Sequence, residues 1–208
     1  MSLRQLPAEE ISGAVRWAAT IVSVGVVLVS SSAMKACAKV MRKVGGVGNL
    51  GLELLGSWER ADPVLDAWRA RPDGKAAARK ALRVDFAFIA GYVSLGVVVA
   101  ATVASRAGDR TPPWAGWADA ARAAGWAIVA AGALDVFEDI SLFGTLAERR
   151  DHNWPGIAAA FARAKWVLAI VAVMVVLTVV AALASGSGSG DPAGNLGQQG
   201  LARLGDRR

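Results

Sequence analysis

Four long apolar runs, separated by clusters of charge, organise the chain. The first extends from Trp17 to Met34 between Arg16 and Lys35, and its interior, IVSVGVVLV, holds no charge. At a rise of about 1.5 Å per residue, roughly 18 apolar residues reach nearly across a hydrocarbon core of about 30 Å. The second run, Phe86 to Ser105, is closed by Arg106 and the turn-rich GDRTPP. The third goes from about Trp117 to Leu146 and is interrupted by acids. The fourth begins near Pro155, whose missing N–H costs nothing in a first helical turn, and continues to Ala184. The pattern predicts an all-α, multipass integral membrane protein. Its domain, residues 1–184, would be a four-transmembrane-helix bundle with spans at about 14–34, 85–105, 117–146 and 155–184. A cleavable signal peptide is the rival reading of the first run. Arg4 supplies a thin basic leader, but Glu9 and Glu10 spoil it and the apolar stretch is long for a signal, so a retained helix is expected. The end of the chain, 185–208, is rich in Ser and Gly and reads as a flexible, solvated tail.

The segment between the first two runs, 35–82, has a weaker pattern of its own. Gly45, Gly46, Gly48 and Gly51 suggest a flexible stretch leading into LELLGSW. Asp62-Pro63 predicts a helix start, with Asp as N-cap and Pro in the first turn. Val64, Leu65 and Trp68 then share a face, and Asp73-Gly74 is expected to break this short helix. Such an amphipathic segment would lie on the membrane surface or pack under the bundle, the plainer alternative being a linker that tolerates Trp.

Composition supports the membrane class. Hydrophobic residues make up 54% of the chain and charged ones only 19%, against about 25% charged in soluble domains. The net charge of +6, from 23 Lys and Arg against 17 Asp and Glu, suits either nucleic acid or loops against an anionic membrane face. Basic and aromatic residues do not interleave as a nucleic-acid-reading surface requires, so the lipid bilayer is the expected partner and nucleic acid is not. Lys35, Lys39, Arg42 and Lys43 follow the first run; Arg79, Lys80 and Arg83 precede the second; Arg149 and Arg150 lie between the third and fourth. The other side offers only Arg4, Arg16, Arg106 and Arg110. Loops one and three are therefore expected in the cytoplasm, with both termini outside the cytoplasmic membrane. Trp17, Trp114, Trp117, Trp154 and Trp166 fall near predicted span ends, where an amphipathic ring sits well. The single cysteine, Cys37, excludes an internal disulfide and metal-ligand spacing, and reads as a packing residue near a helix end.

Charged groups within spans are costly and therefore candidates for function. In ALDVFEDISLFG, Asp135, Glu138 and Asp139 stand at i, i+3 and i+4 and so share one helix face. Treating neighbouring spans as antiparallel mirrors about their loops puts Glu138 level with Lys165, and Asp85 level with Glu138. Tyr92 lies two turns deeper than Asp85 on the same face. These residues predict a polar layer in the cytoplasmic half. It admits three readings: an ion-paired clamp that only holds helices in register, a cation or proton site, or a small-molecule pocket open to the cytoplasm where Lys165 and Arg83 attract an anion. Catalytic signatures are missing: there is no HExxH and no GxSxG, and the lone histidine, His152, lies in a loop. Ser30, Ser31 and Ser32 end the first run without an evident base.

Three stretches in order, LGLELLGSWERADPVLDAW, VDFAFIAGY and GALDVFEDISL, resemble a family of uncharacterised bacterial four-helix membrane proteins with D-x-x-F-I-x-x-Y and L-D-x-x-E-N motifs. The resemblance covers roughly Leu50 to Leu142. It implies that Glu53, Asp85, Tyr92, Asp135 and Glu138 are the positions that matter, and it implies architecture without a reaction. The chain departs from the pattern at Asp139, where the family pattern has Asn, which adds an acid. Glu53, between Leu52 and Leu54, could then cap the polar layer from below.

The expectation is a small multipass protein whose buried carboxylates bind or transport a cation, proton or small ligand, with no cofactor. A structural or interaction subunit is the alternative, and an intramembrane lipid-modifying enzyme the weaker one. The spacing is compatible with an oligomer without requiring one, because GxxxG-like spacing is weak and confined to Gly45 and Gly46.

Overall fold

The computed structural model describes residues 6–109 and 115–186. Among them every regular element is helical. A single 3-10 turn at Pro7–Glu9 precedes α1 (Gly13–Gly45), α2 (Asn49–Glu53), α3 (Trp58–Ala70), α4 (Pro72–Gly108), α5 (Ala115–Leu146) and α6 (Trp154–Gly186). Three helices, Gly13–Gly45, Pro72–Gly108 and Trp154–Ser185, are long and apolar enough to cross a membrane. α5 is of similar length but carries Arg122, Asp135, Glu138 and Asp139 and is not in that set. Arg4, Arg110, the turn at Thr111, Trp114 and the tail beyond Gly186 lie outside the described residues.

The helices outrun the apolar runs that announce them. α1 continues past Ser30, Ser31 and Ser32 to Gly45, because the polar turns beyond Met34 contain no breaker until Gly46. Ser12 caps its start by accepting from the Val15 N–H at 3.4 Å. Gly46 ends it at φ +76°, its N–H bonded to the Arg42 carbonyl, while Arg42 and Lys43 in the last turn complement the helix dipole. The glycines beyond Met41 therefore form a capped corner and a short helix rather than a flexible stretch. α3 also starts earlier than Asp62: Ser57 is its N-cap and Pro63 lies inside it. The Asp73-Gly74 pair does not break a helix. It sits in the first turn of α4, with Pro72 in the opening turn where a missing N–H is harmless. The reason Gly74 is present is steric. A Cβ there would lie 2.3 Å from Trp68 Cδ1, and one at Gly45 would lie 2.3 Å from Trp68 Nε1. The fully buried Trp68 is thus seated between the end of α1 and the start of α4, within a core that includes Met41, Leu65, Leu82 and Leu142.

α1 packs on α4, α4 on α5, and α5 on α6, each pair antiparallel, whereas α4 scarcely touches α6 and no comparable interface joins α1 to α6. The four long helices form an open row rather than a closed bundle. Small residues bring the backbones together: Gly91 faces Val26 and Val27, Gly96 faces Ile128, and Gly132 faces Val93. At one end, Glu9 accepts from Arg122 at 3.0 Å and pins the N-terminal turn to α5. α2 and α3 cover the other end. There Arg69 and Lys75 meet Glu148 at 2.6 and 2.8 Å, Arg150 meets Asp62 at 2.5 Å, and Trp58 Nε1 donates to the His152 carbonyl at 3.0 Å.

Candidate functional site: a carboxylate layer around Lys165

The antiparallel row sets one polar residue from each neighbouring helix at the same height. α5 presents Asp135, Glu138 and Asp139 on one face, and all three are at least nine-tenths buried. Its opposite face carries exposed Trp126, Phe137 and Ile140. Lys165 reaches in from α6, 8% exposed, and its ammonium group is the centre of the layer. It donates to Asp135 Oδ1 and stands 2.7 Å from Glu138 Oε2. Glu53 Oε2, from α2, is 3.7 Å from the same nitrogen. Tyr92 on α4 donates to the second oxygen of Asp135 at 3.0 Å. Asp85 and Asp139 lie near enough to feel each other's charge, as do Glu53 and Glu138. Burial raises the Glu53 carboxyl above the usual range, and the nearby Lys165 charge opposes that shift.

The structure therefore gathers Glu53, Asp85, Tyr92, Asp135, Glu138, Asp139 and Lys165 in one place. Two details differ from the sequence reading. Lys165 pairs with Asp135 as well as Glu138, because Asp135 is one turn before Glu138 and both flank the lysine. Arg83 is exposed and lines no part of the site, so it draws no anion into it.

Beside the layer lies a cavity of about 320 Å³. Asn49, Glu53, Asp85, Asp135 and Lys165 form its polar floor, and Met34, Phe88, Tyr92 and Trp166 are among its apolar walls. Two of these lining residues escaped sequence reasoning. Asn49 opens a five-residue helix too short to show periodicity. Trp166 reads as an interfacial aromatic, yet it stands well inside α6, adjacent in sequence to Lys165, whose charge is 6.0 Å from its ring. One buried acceptor of the lining, Asn49 Oδ1, has no hydrogen-bond partner, and in the adjoining layer Asp139 Oδ2 has none either. Among the described residues no group of three Asp, Glu, His or Cys side chains is placed to hold a metal ion. The acids are arranged around an ammonium group instead of converging on a vacant point.

Comparison of the chain with family models, with curated proteins and with solved structures finds no match.

Proposed function

We propose that the chain is a four-span protein of the cytoplasmic membrane whose carboxylate layer binds a cation, proton or small ligand. The supporting observation is the cavity beside the layer, where Glu53, Asp135 and Glu138 share Lys165, Asp85 lines the same floor, and the buried Asn49 Oδ1 is left without a donor. Neighbouring carboxyl groups such as Asp85 and Asp139 can hold a proton between them, and an excess of acid over base leaves room for a further positive charge. α5 acts as the third span: it lies between α4 and α6, turns its acids inward and shows an apolar face outward. The end covered by α2 and α3 carries the basic clusters and faces the cytoplasm, with both termini outside. The resemblance to bacterial four-helix membrane proteins agrees with this architecture.

A second reading has its own support. Lys165 is already paired with Asp135 and Glu138, as in a clamp that only fixes helix register. For the lipid-enzyme reading, the described residues lining the cavity include no serine, cysteine or histidine. Thermal unfolding in detergent of the wild type and Glu138→Gln, across pH and a panel of monovalent and divalent cations, separates the first two. A binding site gives the wild type a pH- or cation-dependent gain in Tm that the variant lacks. A flat wild-type response, with the variant merely less stable, identifies the clamp.

A further inference from the structure

Because α1 and α6 share no substantial interface, the row of helices is open along one side. Met34 and the half-exposed Trp166 flank that gap at the height of the layer, and the cavity lies behind them. Outside it, α1 and α6 expose Ile21, Val29, Val167 and Ile170, the faces that meet hydrocarbon in a membrane. The cavity is thus reached from the bilayer through an apolar mouth, and it ends on a floor rich in acid.

The floor defines the head of a ligand and the walls its body. Glu53, Asp135 and Glu138 stand within 4 Å of one lysine, and Asp85 lines the same floor, so carboxyl groups outnumber the base there. Asn49 Oδ1, a buried atom of the cavity lining without a partner, is an acceptor and needs an N–H donor. A bare metal ion is a poor fit, since no three acids are placed to ligate one among the described residues. The aromatic rings of Phe88, Tyr92 and Trp166 offer π faces to a cationic head and apolar surface to a hydrocarbon body. We propose that the cavity binds a hydrophobic organic ammonium ion that enters sideways from the bilayer between α1 and α6. This rests on the reading that the layer binds a ligand. A free amine suits it better than a phospholipid headgroup, because the same acids would repel an adjoining phosphate.

The test is equilibrium binding of radiolabelled decylamine, an alkylammonium ion at neutral pH, to the full chain in alkyl-maltoside micelles, which contain no ammonium group. Saturable binding is expected, displaced by unlabelled decylamine and not by decanol. Trp166→Ala and Asp85→Asn should each weaken it by about tenfold, the loss of an aromatic or charged partner. Displacement by added phosphatidylethanolamine supports the ammonium site and assigns its source to the lipid. No saturable binding, or equal displacement by decanol, overturns the proposal. If wild-type Tm still responds to pH or cations in that case, the layer binds something else and only the ligand class fails. A disulfide-linked dimer of Trp166→Cys in a Cys37→Ala background shows a second copy closing the gap, and also overturns it.

Discussion

At the scale of single residues, the layer is governed by the cost of isolating charge. Among the described residues Lys165 is the cation that pairs with Asp135 and Glu138, and its removal would leave them facing each other with nothing between them. Lys165→Met should therefore destabilise the fold by about 3–5 kcal/mol, the usual penalty for breaking a buried pair from one side. Adding Asp135→Asn to it should recover part of that loss, because one of the stranded charges is then gone. Denaturant unfolding of the purified variants checks both, and a double variant no better than the single would show that Lys165 acts by packing. These residues were legible because charge inside an apolar run is conspicuous and the i, i+3, i+4 spacing fixes a face. Asn49 and the role of Trp166 were not legible: neither is unusual for its position, and only the third dimension brings them to the cavity.

At the scale of elements, the long helices could be read from hydrophobic runs, but their ends could not. Hydropathy marks where a helix meets lipid, whereas capping and breakers decide where it stops, so α1 and α4 extend well beyond their apolar parts. The glycines of the first loop misled for a related reason: Gly45 and Gly74 serve close packing on Trp68, a contact between positions far apart in the chain. α3 shows what holds such a segment in place. Besides Trp68, it is tied to the α5–α6 connection through Glu148, whose hydrogen bonds from Arg69 and Lys75 bring its carboxyl down to about 2. A carboxyl lowered by folding stabilises the folded form above its unfolded value, here 4.5, and that contribution is lost as pH falls towards about 2. Hydrogen exchange of α3 amides should accordingly speed up between these pH values beyond the intrinsic rate change. In Glu148→Gln the extra loss should be absent, and protection at neutral pH should fall by about fivefold at most, since exposed ion pairs are weak. Unchanged protection in the variant would leave Trp68, with the Asp62–Arg150 and Trp58–His152 contacts, to anchor α3.

At the scale of the whole molecule, the number of spans turns on α5. An average over its length counts four acids and an arginine against it. The packing points the other way, because Asp135, Glu138 and Asp139 are buried against α4 and α6 while Trp126, Phe137 and Ile140 face out. A helix is excluded from lipid by the charges it shows to lipid, and α5 shows few on the face away from its neighbours. Four spans and three spans differ at one readily measured place. With four, Arg149 in the α5–α6 connection shares a side with Glu59 of α3, opposite Asp109 at the end of α4. With three, Arg149 shares a side with Asp109. All three positions are exposed, and Cys37, buried on α1, can be replaced by Ala to clear the background. In intact cells an impermeant maleimide should label Asp109→Cys, and should reach Glu59→Cys and Arg149→Cys only after lysis. Labelling of Arg149→Cys together with Asp109→Cys would remove α5 from the membrane. The reverse pattern throughout would keep four spans but place the capped, basic end outside, against the distribution of Lys and Arg.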